Sequence, residues 1–157
     1  MQSVSTMPRS DIEGVLNFFD KTAHRFSYHM QAIIARQFSE RFSLQLSGSW
    51  TYRNLVPAED QNDIASVGMA MRIQATKSLG LIFDGVMPIS QLRTTENGYY
   101  PGLGIGFEWE TGGGHVFQLN LTNTRGIAET DYIPYNTSNW LDGEYRMGFT
   151  ISRLFTL

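Results

Sequence analysis

Residues 41–55 read RFSLQLSGSWTYRNL. From Phe42 onward every second position is large and apolar or aromatic (Phe42, Leu44, Leu46, Trp50, Tyr52), with Gly48 the single gap. Ser43, Gln45, Ser47, Ser49, Thr51 and Arg53 stand between them. Successive side chains of a strand point to opposite faces, so this stretch is a strand with one apolar and one polar wall. The fold is decided by which wall meets the protein interior and what the other wall meets.

The same period recurs six more times. In FSYHMQAIIARQF, Phe26, Tyr28, Met30, Ala32, Ile34 and Phe38 oppose Ser27, His29, Gln31 and Gln37. ASVGMAMRIQ sets Val67, Met69, Met71 and Ile73 against Ser66, Gly68, Ala70, Arg72 and Gln74, and LGLIFDGVMPIS sets Leu79, Leu81, Phe83, Met87 and Ile89 against Gly80, Asp84 and Ser90. LGIGFEWE, HVFQLNLTNT and EYRMGFTISRLF repeat the pattern to the C-terminus. Seven strands of one period predict an all-β chain, and only DIEGVLNFF near the start has a hint of helical spacing.

The connections alternate in length. SER, TKS and GGG make short turns, whereas residues 54–63, 91–101 and 125–142 make long polar links. Short turns at one end and long loops at the other are the layout of an up-and-down membrane barrel. Registers follow from parity, because facing residues share a wall. Placing Phe38 opposite Phe42 brings Ile34 to Leu46, Met30 to Trp50 and Tyr28 to Tyr52. Around GGG, Trp109 meets Phe117 and Glu108 meets Gln118.

Alternation alone also fits a soluble β-sandwich. Three features favour a membrane barrel. The alternating runs extend to 10–13 residues, against about 5–6 for an ordinary strand. The polar wall carries Ser, Gln, Gly, Thr and Asn where a water-facing sheet would carry many Lys and Glu; charged residues are 17% of the chain against about 25% on average. Aromatic residues gather at strand ends, with Phe38, Phe42 and Trp109 towards the turns and Tyr28, Trp50 and Tyr52 towards the loops. Ten steps from Phe42 to Tyr52, at about 3.3 Å each and tilted by about 40°, give a height of about 25 Å, the span between aromatic girdles. The apolar wall is therefore expected to face lipid, and the polar wall to line a lumen with Arg53, Arg72, Asp84, Glu108, Glu110, Gln118 and Arg146. Around TKS, Ala70 should face Asp84 and bring Arg72 diagonally beside it.

Composition narrows the function. The 157 residues are one domain's worth, with a net charge of −3 and no basic patch, which gives no sign of a nucleic-acid partner. The absence of cysteine excludes a disulfide framework, a thiolate metal site and a Cys nucleophile. No cofactor motif is present. His29 should face Thr51 near Ser27 and Ser49, but no orienting acid or nucleophile-elbow pattern accompanies them, so lumen polar packing is favoured over a hydrolase. Glu59, Asp60 and Asp63 give a weak calcium signal without EF-hand spacing. Asn136–Thr137–Ser138 fits a glycosylation acceptor of incidental kind, and Tyr132, Tyr135 and Trp140 suit either a sugar or partner contact or a cap on the barrel mouth.

Seven strands do not close a bacterial barrel, whose strand number is even and at least eight. Residues 1–23 are expected to be an extracellular loop or strand-connecting segment, and 24–157 the C-terminal part of a larger barrel or one half of a split barrel completed by a second chain. In the ending GFTISRLFTL, Phe149, Ile151 and Phe155 form a terminal aromatic signal of the type that outer-membrane insertion machinery reads.

HRFSYHMQAIIARQFSERFSLQL, YRNLVPAEDQNDIASVG, ETGGGHVFQLNLTNTRGIAE and GFTISRLFTL resemble the C-terminal half of an uncharacterised outer-membrane β-barrel family of Bacteroidetes-like Gram-negative bacteria, domain-of-unknown-function family 5777. The resemblance covers about residues 24–157 and implies an outer-membrane barrel without a catalytic motif to carry over. The expected function is a non-enzymatic, porin-like pore or a scaffold for other envelope proteins, with the lipid bilayer and the insertion machinery as partners. The alternatives are a barrel enzyme acting on lipid or envelope substrates and a soluble β-sandwich binding module.

Overall fold

A computed structural model describes residues 2–6 and 21–153. The helical hint at residues 11–19 and the aromatic Phe155 lie outside the described residues, as does most of segment 1–23. Eight strands form one antiparallel sheet in strict sequence order: β1 (Gln2–Thr6), β2 (Phe26–Ser39), β3 (Phe42–Arg53), β4 (Asp63–Gln74), β5 (Leu79–Ile89), β6 (Gly102–Glu110), β7 (His115–Thr122) and β8 (Arg146–Arg153). The sheet curls into a half-barrel whose concave side holds a short helix, α1 (Glu129–Tyr135), resting on β2, β3 and β5. Among the described residues β1 and β8 do not pair with each other.

The count of seven strands is corrected to eight. β1 escaped the periodicity because QSVST has a single large apolar residue, Val4. Its pairing to β2, Gln2 to Met30 through Thr6 to Phe26, is a tertiary contact without a local signature. The central registers agree with the parity argument: Tyr28–Tyr52, Met30–Trp50, Ile34–Leu46, Ala70–Asp84, Trp109–Phe117 and Glu108–Gln118. One turn differs. Ser39, not Phe38, opposes Phe42, and the register slips between Gln37 and Ser39. The chain thus turns on Glu40–Arg41 alone, with Phe38 at an irregularity of the bulge kind. Its ring still lies 5.8 Å from that of Phe42, so the aromatic pair survives the slip.

The burial pattern is inside-out for a soluble protein. Among the described residues few apolar side chains are buried, Ile64, Ile133 and Pro134 being the large ones, while Ser27, His29, Thr51, Ser66 and Asn123 are buried and polar. Leu46, Trp50, Met69, Leu103, Phe107, Trp109 and Phe149 are exposed in rows along the convex wall. A sandwich would bury such rows against a second sheet. All eight strands belong to one sheet, so among the described residues no second sheet covers the rows, and continuous apolar area of this kind marks a surface that meets lipid or a partner.

The concave wall is packed by side chains leaning over glycines. A Cβ at Gly104 would collide with the Asp84 carboxylate, one at Gly106 would lie 2.5 Å from Asn120 Oδ1, and one at Gly68 would lie 2.6 Å from Ser47 Oγ. Each glycine is the bed on which a neighbouring strand's polar side chain lies.

Candidate functional site

All three long loops, 54–62, 90–101 and 123–145, leave the sheet at the same end, and there they converge. The last carries α1. Glu129 and Asp131 in its first turn suit the positive end of the helix dipole. Pro134 lies near its end and limits its length. Thr130, Ile133 and Pro134 are buried against the concave wall, and Thr130 Oγ1 shares a 2.6 Å hydrogen bond with Ser5 Oγ of β1. Among the groups at this end of the wall is a polar layer. His29 Nδ1 is 2.8 Å from Thr51 Oγ1, Ser49 Oγ is 2.5 Å from Ser66 Oγ, and His29 Nε2 is buried without a partner among the described residues.

A second cluster locks the three loops to one another. The Arg93 guanidinium pairs with the Asp60 carboxylate, and the Tyr135 hydroxyl donates to the other Asp60 oxygen at 2.8 Å. Arg93 also lies 4.6 Å from the ring centres of Tyr99 and Tyr135, and Arg53 lies 4.6 Å from that of Tyr135. The Arg93 side chain is 3% exposed and that of Asp60 11%. One carboxylate, one guanidinium and one phenol thus join a residue from each loop. Asn123 adds a neutral tie: its Oδ1 accepts from the Leu103 amide at 2.7 Å, and its Nδ2 donates to the carbonyls of Pro101 at 2.9 Å and Ser138 at 2.7 Å.

Burial works to raise the Asp60 pKa. The hydrogen bonds from Tyr135, Arg93 and the Gln61 amide, with the Arg93 charge, outweigh it and hold the carboxyl below its ordinary value. Burial, and then the hydrogen bond to Asp60, push the Tyr135 phenol above its ordinary value. A carboxyl whose folded pKa is depressed contributes stability above its unfolded value, about 3.9, and that contribution is lost as pH falls through the folded value. The loop cluster should therefore keep its near-ultraviolet tyrosine circular dichroism from neutral pH to about 4 and lose it below. The Asp60→Asn protein should not show that acid transition; an identical transition in both proteins would assign it to another carboxylate.

The residues singled out in the sequence are distributed along the wall rather than gathered in one place. Arg53 belongs to the loop cluster. Arg72 does not pair with Asp84. It reaches across β5 to Glu108 of β6, with Nη2 2.5 Å and Nε 3.1 Å from Glu108 Oε1. The intervening residue is Gly80, where a Cβ would come within 3.3 Å of Arg72 Nη2. A missing side chain thus opens a two-strand reach that nearest-neighbour parity did not anticipate. Asp84 lies over Gly104 and lines a cavity of about 430 Å³ together with Gln31, Gln45, Asn120 and Tyr132. Glu110 is exposed at the turn end. Gln118 donates to Asn120 Oδ1 at 2.9 Å, and Arg146 to the Thr124 carbonyl at 3.4 Å. On the convex wall Phe38, Trp50 and Trp109 are exposed, and Trp50 stacks on Tyr52 with ring centres 5.7 Å apart. Phe149 stacks on Phe117, and Ile151 is exposed beside it.

Three weaker signals can be placed in the structure. The Glu59, Asp60 and Asp63 carboxylates do not converge, since Asp60 is engaged by Arg93 and Tyr135 while Asp63 opens β4 opposite Tyr52. The 136–138 acceptor motif is inaccessible: Asn136 and Ser138 are buried, and Asn136 Nδ2 donates to the Tyr100 carbonyl at 3.1 Å. His29 is 1% exposed and has no described acid hydrogen-bonded to it, so its pairing with Thr51 is a packing contact. The Asp60–Arg93–Tyr135 cluster was not singled out by the sequence. Its members lie 33 and 75 positions from Asp60, and only the convergence of the long loops at one end pointed towards it.

The family model for a membrane-bound beta barrel domain, DUF5777, matches residues 3–155, and the chain belongs to that family. The match takes in β1 as well as the seven strands that follow. No curated protein and no solved structure matches the chain.

Proposed function

We propose that this membrane-bound barrel domain is a non-enzymatic outer-membrane scaffold with a closed mouth, quiet as a channel. The observation that carries this reading is α1, seated on the concave wall with Thr130, Ile133 and Pro134 buried and tied to two further loops through Asp60, Arg93 and Tyr135. A segment held by an ion pair, a phenol hydrogen bond and three buried side chains is a stopper. A free-swinging loop would have few buried contacts. Deeper in the wall the Arg72–Glu108 pair and the glycine-bedded polar rows fill space that an open pore would leave to water. The convex rows suit lipid acyl chains, and the aromatic pairs at both strand ends suit the two headgroup levels.

The same arrangement speaks against an enzyme on this wall, because the one histidine placed near hydroxyls is sealed beneath the cap. Other envelope proteins would dock on the loop end, and further strands, from this protein or a second chain, would find hydrogen-bonding edges at β1 and β8. In planar bilayers the complete barrel should conduct little, and deletion of residues 126–142 should raise conductance several-fold. Large, steady conductance from the undeleted protein would overturn the closed-mouth reading.

A further inference from the structure

The convex wall contains a gap that strict alternation would have filled. Gly85 stands in the outward row of β5, opposite Met69 of β4 on one side and Leu103 of β6 on the other. Two positions towards the turn end, Phe83 and Ile105 face each other in the same row. A Cβ at Gly85 would lie 3.1 Å from Leu103 Cδ2: Leu103 leans over the edge of the glycine, and beside it the missing side chain leaves a shallow notch that lines a cleft.

The loop between β7 and β8 comes over this notch. Trp140 donates its indole Nε1–H to the Leu103 carbonyl at 3.2 Å and stacks on Tyr145 with ring centres 5.4 Å apart. The indole is thereby fixed at both its polar edge and its face. Met69, Phe83, Gly85, Leu103, Ile105 and Trp140 enclose a cleft of about 450 Å³, with the chain at Asp84 passing beneath and its carboxylate on the concave wall. That volume falls within the ordinary range of ligand clefts, about 300–1,000 Å³. Leu141, beside the tryptophan, is an apolar side chain that is 93% exposed.

We propose that this cleft holds one acyl chain of a membrane lipid, clamped between the Trp140 indole and the Gly85 gap, as a retained neighbour distinct from the freely exchanging lipid around it. The inference rests on the reading that the convex rows face lipid, and the cleft is continuous with those rows. Tryptophan prefers the headgroup level, where its N–H finds an acceptor and its ring lies among chains; the Leu103 carbonyl at the loop end of β6 supplies that acceptor. The lining offers a chain only apolar side-chain atoms and the indole face, and a glycine in an outward row admits a chain closer to the sheet than any other residue.

The Trp50→Phe, Trp109→Phe protein retains Trp140 as its sole tryptophan. Its fluorescence should fall with the fraction of chain-brominated phosphatidylcholine in phosphatidylcholine vesicles along the straight line that one dominant quenching site gives, whereas several freely exchanging neighbours give a steeper curve. Gly85→Leu should turn the line into that curve, Gly85→Ala should have an intermediate effect and serves if the larger variant does not insert, and Gly48→Leu, an outward glycine away from Trp140, should change nothing. A steep, many-neighbour curve in the parent protein, or a straight line indifferent to Gly85, overturns the cleft while leaving the lipid-facing wall intact. No quenching even in fully brominated vesicles overturns the lipid-facing wall itself.

Discussion

Leu46→Lys should keep the barrel from assembling stably in a bilayer, whereas Ser47→Lys, one residue along the same strand and at the same height, should be tolerated. Leu46 is 53% exposed in the convex row with Ile34 and Met69 as cross-strand neighbours. A lysine there places its ammonium among acyl chains near mid-height, a position that costs about 2–4 kcal/mol on the lipid side of a membrane barrel. Ser47 leans over Gly68 on the concave wall and lines the same cavity as Asp84. A lysine at that position has a carboxylate within its cavity and needs no contact with hydrocarbon. Folding into detergent micelles and lipid vesicles, followed by urea titration, measures both proteins. Equal midpoints would refute the assignment of the two walls. A water-soluble monomeric Leu46→Lys protein would return the soluble sandwich to contention.

How much of this was legible before the structure follows from the range of each interaction. The wall assignment and the central registers rest on a two-residue period repeated over about ten residues, and a register slip of one residue would exchange every side chain between walls. That is a strong local constraint, and Tyr28–Tyr52 through Ile34–Leu46 satisfy it. The errors occur where no period operates. β1 pairs through backbone groups that any sequence carries, so five residues with one valine gave no signal. Phe38 lost its backbone register to a bulge, a one-residue event that parity cannot register, although its ring still meets that of Phe42. α1 is seven residues with a proline, too short for a helical period to be seen. Arg72 was assigned to Asp84 because diagonal neighbours were considered and the emptiness of Gly80 was not. The loop cluster was invisible for a simpler reason: Asp60, Arg93 and Tyr135 lie in three connections whose meeting depends on the curvature of the whole sheet.

That cluster carries the largest expected effect of any single side chain. Asp60→Ala should release the loops from the mouth while leaving the strands in place. The substitution removes the carboxylate facing Arg93 and leaves a guanidinium that is 3% exposed without its counter-charge, and loss of one partner of a buried ion pair costs about 3–5 kcal/mol. The sheet is held by its ladders and, in the proposed setting, by lipid on its convex wall, so the cost falls on the element that can open most cheaply, residues 123–145 with α1. Tyr135 loses its acceptor with the Asp60 carboxylate, and Arg93 can escape its desolvation only by swinging towards water, which strips Tyr99 of its cation and leaves Tyr135 with Arg53 alone. Amide hydrogen exchange over residues 123–145 should accelerate by orders of magnitude while β3, β4 and β5 remain protected, and bilayer conductance should rise in the same protein. The Asp60→Leu, Arg93→Met pair should recover most of the protection, because two apolar side chains leave no stranded charge. If Asp60→Ala exchanges no faster than the parent protein, the ion pair is not what holds the cap. If the loop opens and conductance stays low, the obstruction lies deeper, at the Arg72–Glu108 pair that bridges the wall over Gly80, and Glu108→Ala in the Asp60→Ala background becomes the variant that should conduct.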